Sequence, residues 1–415
     1  MHNLKLHKTS GINMTSIDLP GSKSISNRIL IIKALSGLDF AIQNISDSDD
    51  TKHLEEALNH YKNSRLIDVG HAGTDMRFLT TFLSLKNGSY ELTGSERLQQ
   101  RPVKDLVEVL KTLGADIIYK NKEGYPPLLI KGKQLNGGQV QISGSVSSQF
   151  ITALLLVAPY FTNGLELTVV GELVSKPYVN MTIELMKEFG AMIVWKENTI
   201  SVQPVPYSYS KREFIVESDW SAVSYYYSMV ALSEINTSLH INGLFQKSLQ
   251  ADSVCSDIYR SFGVSTSYSE NKISITKSNE IAKSVLDYNF VECPDIAQTL
   301  VCTCIGLQIP FNFTGLQTLK VKETDRIVAL QKECRKFGIE FIVTNNSIQW
   351  FGENSINKST TVSIATYNDH RMAMSFAGLS LVLDEIIIEE ANVVSKSYPL
   401  FWEHLKLIGI KQTSL

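Results

Sequence analysis

The stretch that decides the fold reads V-L-K-T-L-G-A-D-I (109–117), an apolar helical run that ends in glycine and continues as a strand. The same pattern recurs in L-M-K-E-F-G-A-M-I (185–193), I-Y-R-S-F-G-V-S-T (258–266), E-C-R-K-F-G-I-E-F (333–341) and H-L-K-L-I-G-I (404–410). Successive glycines lie 76, 73, 75 and 71 residues apart. Glycine at the end of a helix is typical of a left-handed cap. The spacing predicts a supersecondary unit of some seventy residues that is used repeatedly.

A sixth copy is predicted at L-E-E-A-L-N-H-Y-K-N (54–63), which has the helical run but no glycine. Six units in 415 residues suggest two lobes of three. Short segments between the helices alternate apolar and polar residues and predict strands, so the class is mixed α and β. The run Q-P-V-P-Y-S-Y-S-K-R-E (203–213) is the best linker candidate, with a lobe junction just after it.

Composition limits the partners that the chain can have. A hydrophobic content of 43% over 415 residues predicts at least two cores. The net charge of -3 provides no overall basic field, which disfavours nucleic acid and anionic membranes as partners. Any binding of anions must therefore be local.

The cysteines and histidines indicate no metal site. The five cysteines include no C-x-x-C pair, and the eight histidines include no H-E-x-x-H motif. Cys302 and Cys304 lie in an apolar run and are predicted to be buried. We expect a reduced, cytoplasmic protein, because the N-terminus has no apolar signal segment and no run of 18 apolar residues occurs.

Isolated basic residues stand at the starts of predicted helices, where unpaired backbone N–H groups attract anions. Seven such candidate anion ligands are Lys23, Arg28, Arg101, Lys322, Arg326, Arg371 and Lys396. Ser24 and Arg28 are four residues apart and share a helix face. A serine-capped helix with solvated cations explains this first motif equally well.

Two charged motifs in the second half of the chain could carry acid–base chemistry. In V-K-E-T-D-R (321–326), Lys322 and Arg326 are expected on one helix face with Glu323 beside them, although a surface salt-bridge ladder remains the plainer interpretation. In N-D-H-R-M-A-M (368–374), the acid before the histidine could orient it. Asp295, in E-C-P-D-I-A-Q-T (292–299), could be only a helix cap.

Nine motifs, taken in order from residue 19 to 399, resemble 5-enolpyruvylshikimate-3-phosphate synthases: P-G-S-K-S-I-S-N-R, A-G-T-x-M-R, Q-R-P, S-G-S-V-S-S-Q, S-K-P-Y, P-D-I-A, K-E-T-D-R, N-D-H-R-M-A-M and S-K-S-Y-P. The resemblance implies an α/β (α+β) fold, a two-lobed inside-out α/β barrel with six β-α-β-α-β-β units, three per lobe. It also implies an N-terminal lobe of residues 21–216, a C-terminal lobe of residues 1–20 plus 217–415, and an active site in the cleft between the lobes.

The implied reaction transfers the enolpyruvyl group of phosphoenolpyruvate to the 5-hydroxyl of shikimate 3-phosphate. It releases phosphate, passes through a tetrahedral intermediate and needs no cofactor. By the resemblance, the catalytic residues are Asp295, Glu323, Lys23 and His370. Those that bind shikimate 3-phosphate are Lys23, Ser24, Arg28, Ser147, Ser148, Gln149, Ser175, Tyr178, Asp295 and Lys322. Those that bind phosphoenolpyruvate are Lys23, Gly73, Arg101, Gln149, Arg326, Arg371 and Lys396.

Three positions depart from the family pattern, namely His71, Asp75 and Thr318, and their contacts are left open. Gly73 resembles the form that leaves room for glyphosate. Two alternatives are a UDP-N-acetylglucosamine enolpyruvyl transferase, which carries a loop cysteine where this chain has none before Cys255, and a non-catalytic anion-binding protein. The partners expected are the two small-molecule substrates, and the protein is expected to be a cytoplasmic monomer.

Overall fold

The computed structural model describes residues 2–9, 11–145, 147–278, 284–359 and 361–415. Their helices are α1 (Lys23–Ser36), α2 (Asp49–His60), α3 (Gly73–Leu85), α4 (Glu96–Gln99), α5 (Lys104–Thr112), α6 (Ser148–Val157), α7 (Lys176–Glu188), α8 (Trp220–Leu232), α9 (Cys255–Arg260), α10 (Ala297–Leu307), α11 (Arg326–Arg335), α12 (His370–Ala377) and α13 (Phe401–Leu407).

The strands are short, as the short alternating segments of the sequence predict. They are β1 (Leu4–His7), β2 (Ser16–Asp18), β3 (Ala41–Gln43), β4 (Leu66–Asp68), β5 (Gly88–Thr93), β6 (Asp116–Tyr119), β7 (Leu128–Gly132), β8 (Gly138–Ser143), β9 (Leu165–Val170), β10 (Ile193–Lys196), β11 (Thr199–Val202), β12 (Glu213–Ile215), β13 (Ser238–Asn242), β14 (Val264–Ser269), β15 (Lys272–Lys277), β16 (Leu286–Asn289), β17 (Phe311–Thr314), β18 (Ile342–Val343), β19 (Ile348–Trp350), β20 (Val362–Ile364), β21 (Glu385–Ile388) and β22 (Lys411–Ser414).

The chain forms two compact units, each with its own hydrophobic core. Unit A comprises Met1–Gly21 and Glu217–Leu415, and unit B comprises Ser22–Val216. The core of unit A is built around α8, α10 and α12, and the core of unit B around α1, α3 and α6. Near-complete burial of α6, α8 and α10 explains their largely apolar sequences.

One sheet topology recurs in both units. In unit B the sheet β4-β5-β7-β6 pairs β4 and β5 in parallel and the other neighbours antiparallel. The sheet β8-β9-β11-β10 has the same arrangement, as do β2-β13-β15-β14 and β16-β17-β19-β18 in unit A. The sheet β20-β21-β1-β22 also follows it, with its third strand supplied by the N-terminus. The repeat read from the glycines is therefore a β-α-β-α-β-β unit.

The five repeat glycines end helices in the left-handed conformation that the sequence predicts. Their φ values lie between 74° and 98° at Gly114, Gly190, Gly263, Gly338 and Gly409. At four of them the next residue donates its N–H to a carbonyl five residues back, as Ala115 does to Leu110 at 2.9 Å. This bond pattern closes the last helical turn and turns the chain into the following strand.

The sixth unit differs from the other five. Its helix α2 is present as expected, but its strand β3 pairs only with β12, in parallel. The run 54–63 has no glycine to reverse the chain after α2, and among the described residues no hairpin is added to the sheet of β3 and β12.

The proposed linker 203–213 is packed rather than loose. The Tyr209 ring stacks on Phe189 with centroids 4.3 Å apart, and the Tyr207 hydroxyl donates to the Leu156 carbonyl. Its aromatic residues therefore override its proline and serine content.

Other expectations concern burial and membranes. Cys302 and Cys304 are both fully buried, as predicted. Across the described ranges, no helix combines the length and apolarity needed to cross a bilayer.

Candidate active site

In unit B, the start of α1 places a cation beside an acid from α2. Ser22 is the N-cap residue, and Lys23 is the first helical residue. The Lys23 ammonium lies 2.9 Å from Oδ2 of Asp50, and the two side chains are 21% and 13% exposed. Asp50 is the second residue of α2, so the start of this helix brings a carboxylate to the lysine that the sequence singled out.

Arg28 lies one turn further along α1 and is largely enclosed by protein oxygens. Its Nη1 donates to the Ser24 carbonyl at 2.7 Å, which confirms that these two residues share a helix face. Its Nε donates to the Thr182 hydroxyl at 2.8 Å, and Nη2 to the Tyr178 carbonyl at 3.3 Å. Burial lowers the pKa of Arg28 to about 10. The guanidinium is thus fixed in position, and it remains charged at neutral pH.

The start of α3 carries two guanidinium groups close together. A Cβ added at Gly73 would lie 2.5 Å from Nη1 of Arg101, so this guanidinium rests directly on the glycine backbone. Buried Arg77 donates to the Gly73 carbonyl at 2.8 Å and to the Pro102 carbonyl at 3.0 Å. Burial, and then the charge of Arg101, lower the pKa of Arg77 well below its usual range. Two cations at a helix N-terminus favour an anion.

The other predicted residues of unit B lie at the starts of α6 and α7. Ser147 caps α6, and its hydroxyl accepts from the Gln149 N–H at 3.3 Å. The Gln149 side chain donates to the Thr74 hydroxyl at 3.0 Å, which ties α6 to the start of α3. Ser148 and Ser175 are buried, and Ser175 precedes α7 with a φ of 55°. Val146, within the same serine motif, lies outside the described residues.

In unit A, one carboxylate meets three cations. Asp295 lies in a 3-10 turn before α10, and its side chain is 16% exposed. Its Oδ1 is 3.3 Å from the Lys322 ammonium and 3.1 Å from Arg326, and its Oδ2 is 3.1 Å from Arg371. Burial raises the pKa of Asp295, but the charges of Arg371, Lys322 and Arg326 outweigh it, and the net pKa is well below the usual range. Asp295 is therefore more than a helix cap.

Arg326 is 1% exposed and is held by three carboxylates. Its Nε donates to Asp369 at 2.7 Å, Nη2 to Glu323 at 2.8 Å, and Nη1 to Asp295 at 3.1 Å. Burial by itself would lower the pKa of Arg326. The charges of Asp369, Glu323 and Asp295 outweigh burial, so the net pKa lies above the usual value. The charged run at 321–326 is thus not a surface ladder, because its central arginine is buried.

Two local expectations are wrong in their geometry. Lys322 does not share a helix face with Arg326, because α11 begins only at Arg326 and Lys322 has extended backbone before it. Both cations nevertheless reach Asp295. The hypothesis that Asp369 orients His370 also fails, since Nδ1 of His370 lies 3.9 Å from that carboxylate, too far for a hydrogen bond. Asp369 instead caps α12 and binds Arg326.

Lys396 and His370 complete the predicted set in unit A. The Lys396 ammonium donates to the carbonyl and to the side-chain oxygen of Asn368, both at 2.7 Å. His370 is the first residue of α12 and is 3% exposed. Lys396 is thus fastened to the loop that leads into α12.

Sequence reasoning missed several groups that contact the predicted residues. Asp50 pairs with Lys23, and Arg77 lies beside Arg101. Behind Arg371, the Ser221 hydroxyl accepts from Nη2 at 3.4 Å and donates to buried Asp252. Burial and the Asp295 charge raise the pKa of Asp252 to about 7. Asp50 and Ser221 are each the second residue of a helix, and a polar residue at such a position was the sequence feature that could have pointed to these contacts.

The chemistry available in these clusters is anion binding with carboxylates placed among the cations. The described residues contain no group of three or more histidine, cysteine or acidic side chains that could hold a metal ion. Clustered guanidinium groups, an ammonium group and helix N-termini suit phosphate and carboxylate groups. Carboxylates in contact with them can exchange protons with a bound substrate.

Comparisons with known proteins agree over most of the chain. The family model described as EPSP synthase (3-phosphoshikimate 1-carboxyvinyltransferase) matches residues 10–66 and 59–405. A Bacteroides fragilis protein named 3-phosphoshikimate 1-carboxyvinyltransferase is 48% identical over 396 residues, 95% of each chain. A protein of the same name from Aliivibrio salmonicida is 35% identical over 436 residues, which cover 99% of this chain and all of the relative.

A solved structure has the same fold. The EPSP synthase of Acinetobacter baumannii aligns over 100% of both chains with a TM-score of 0.77 at 19% identity. All five cysteines are buried, and none occurs before Cys255. The chain therefore belongs to the EPSP synthase family.

Proposed function

We propose that this chain transfers the enolpyruvyl group of phosphoenolpyruvate to the 5-hydroxyl of shikimate 3-phosphate and releases phosphate, using the residues described above. The observation that carries the assignment is the cluster around Asp295, where one carboxylate contacts Lys322, Arg326 and Arg371 and a second acid, Glu323, contacts Arg326. The names of the relatives supply the substrate class.

Charge repulsion between the substrates is the first obstacle to this reaction. Both carry a phosphate and a carboxylate, so the protein must offset their repulsion to bring the hydroxyl against the enol carbon. For phosphoenolpyruvate we propose the ligands Lys23, Gly73, Arg101, Gln149, Arg326, Arg371 and Lys396. For shikimate 3-phosphate we propose Lys23, Ser24, Arg28, Ser147, Ser148, Gln149, Ser175, Tyr178, Asp295 and Lys322.

Asp295 is the proposed base that takes the proton of the 5-hydroxyl. The three cations make it a weak base in the absence of ligand, because they hold its pKa well below the usual range. A bound anion competes for Arg326 and Arg371, and it thereby weakens their attraction for Asp295 and raises its pKa. Binding of the anionic substrate would thus activate the base.

The remaining proton transfers occur at the methylene carbon of phosphoenolpyruvate. In the addition, the 5-oxygen bonds to the enol carbon, the carbon–carbon double bond opens and the methylene carbon gains a proton from Glu323, with Lys23 as the second candidate donor. In the elimination, the same carbon returns a proton, the double bond re-forms and the C–O bond to phosphate breaks. Glu323 can serve both steps because it contacts Arg326 and is still 23% exposed. We propose a positioning role for His370, which is buried at the first position of α12.

The direct test measures inorganic phosphate released from shikimate 3-phosphate and phosphoenolpyruvate. Asp295→Asn and Glu323→Gln should each lower kcat by about 100-fold or more, the usual contribution of a general acid or base, while calorimetry still detects substrate binding. Glu340→Gln is the matched control, because Glu340 is an exposed acid that pairs with Arg335 in the same unit. Its kcat should equal that of the wild type.

Two outcomes would overturn the assignment. One is the absence of phosphate release by the wild type with this substrate pair. The other is release only when UDP-N-acetylglucosamine replaces shikimate 3-phosphate.

A further inference from the structure

A buried carboxyl group lies beside the Lys23–Asp50 pair and has no role in the reaction proposed above. Asp75, at the third position of α3, is 0% exposed. It is one of the three positions whose contacts the sequence left open. Burying an acid is costly unless it is neutral or compensated, so its presence calls for a physical account.

A hydrogen bond ties Asp75 to the residue four positions after Lys23 on α1. Its Oδ1 accepts from Nδ2 of Asn27 at 2.8 Å, and Asn27 lies four residues after Lys23 on α1. The Asn27 Oδ1 in turn accepts from the Thr51 hydroxyl at 2.8 Å, and Thr51 follows Asp50 on α2. The other oxygen of Asp75, Oδ2, is buried and has no hydrogen-bond partner among the described residues. Asp50 thus contacts Lys23 directly, and Asp75 is tied to the same helix four residues further along, through Asn27.

We propose that Asp75 sets the substrate affinity of the Lys23 site, where it forms with Asp50 a carboxyl pair that controls how strongly the ammonium holds an anionic substrate. This inference rests on the proposed role of Lys23 in binding phosphoenolpyruvate. When Asp75 is neutral, Lys23 faces one carboxylate and can share its charge with the substrate. When Asp75 is ionised, two carboxylates compete with the substrate for one cation.

The surroundings of Asp75 favour the neutral form. Burial raises its pKa well above the usual range, the charge of Asp50 raises it further, and Lys23 and the bond from Asn27 lower it only in part. Among the elements that pack on α3, α6 has no ionisable residue, β5 contributes the buried Tyr90, and the other ionisable residues of α5, β5 and β7 are at least partly exposed. Buried Arg28 on α1 and buried Arg77 on α3 are the nearby guanidinium groups. The charges that act on the ionisation of Asp75 are those of Asp50 and Lys23.

The sign of the effect follows from the raised pKa. Below this pKa, Asp75 keeps its proton and the affinity for the anion is full. As the pH rises through it, the added negative charge weakens binding, so the KM for phosphoenolpyruvate increases. A carboxylate close to a partly buried cation should change the KM by about tenfold, if the effective dielectric constant is near 20.

The test compares the KM for phosphoenolpyruvate between pH 6 and pH 9 in the wild type and in Asp75→Asn, which keeps the acceptor for Asn27 but cannot ionise. Ionisation of the substrate itself is common to both proteins, so the ratio of their KM values isolates Asp75. We expect the KM of the wild type divided by that of Asp75→Asn to be near one at pH 6 and to rise by about tenfold at high pH. Asp75→Ala should give the same rise, and Asp116→Asn, an exposed acid on β6, should give none.

A ratio that stays constant across the pH range for both Asp75 variants would overturn the inference and leave Asp75 a structural role. The proposed function is judged separately, by phosphate release from the wild type. If the wild type releases none, the same ratio is measured with the Kd for phosphoenolpyruvate from calorimetry, with Lys23→Met to confirm that the ligand binds at Lys23. A flat Kd ratio, or binding that Lys23→Met leaves unchanged, also overturns it.

Discussion

Replacing Arg326 by methionine tests whether the buried ion cluster of unit A is held together as described. The guanidinium is 1% exposed and Asp369, its closest partner at 2.7 Å, is 0% exposed. The substitution would leave that carboxylate buried without its cation. Breaking a buried pair from one side typically costs about 3–5 kcal/mol.

This cost can be expressed as a melting temperature. For a domain of roughly 200 residues, 1 kcal/mol corresponds to about 2–4 °C, so Arg326→Met should lower the Tm of unit A by about 6–20 °C. Differential scanning calorimetry of the intact chain measures the shift. Asp369→Asn in the Arg326→Met background removes the stranded charge, and the double variant should regain part of the lost stability.

Arg335 provides the matched control on the same helix. It pairs with Glu340 at 2.9 Å, but the two side chains are 55% and 59% exposed. Exposed pairs contribute about 0–1 kcal/mol, so Arg335→Met should shift the Tm by a few degrees at most. Equal shifts for the two arginine variants would refute the reasoning, since burial would then not decide the contribution of the pair.

Two further predictions concern other parts of the chain. Gly73→Ala places a Cβ 2.5 Å from Nη1 of Arg101, so this guanidinium must move. The KM for phosphoenolpyruvate, measured by steady-state kinetics, should rise by about tenfold or more. Gly11→Ala is the control, because no atom lies within 4 Å of its new Cβ and the KM should stay unchanged. The pKa of Asp252 is raised to about 7, so the neutral acid stabilises the fold at low pH, and this contribution is lost as the pH rises from about 4 to 7. The Tm of the wild type relative to that of Asp252→Asn should therefore fall by several degrees between pH 5 and pH 8. A Tm difference that does not depend on pH would contradict this assignment.

The local sequence was sufficient to predict most of the repeat. A glycine after an amphipathic helix sets a left-handed cap, and alternating residues set short strands, because both depend on neighbours in the chain. The five caps at positive φ and the recurring sheet order follow these signals. The weakest copy in sequence, at 54–63, is also the unit with only two strands, so the missing glycine was itself informative.

The chemical environment of the predicted residues was decided by the tertiary structure. The sequence indicated that Lys23, Arg326 and Asp295 matter, but it did not indicate the partners that come from distant parts of the chain, such as Asp50 for Lys23 and Asp369 for Arg326. The helical spacing argued for Lys322 and Arg326 failed because helix α11 starts later than the charge pattern suggested. Burial then determines whether such a cluster is a solvated ladder or a site with shifted pKa values, because burial removes water that would otherwise screen the charges. The sequence by itself therefore determined the repeat, the family and the candidate residues, whereas only packing decided which carboxylate faces which cation.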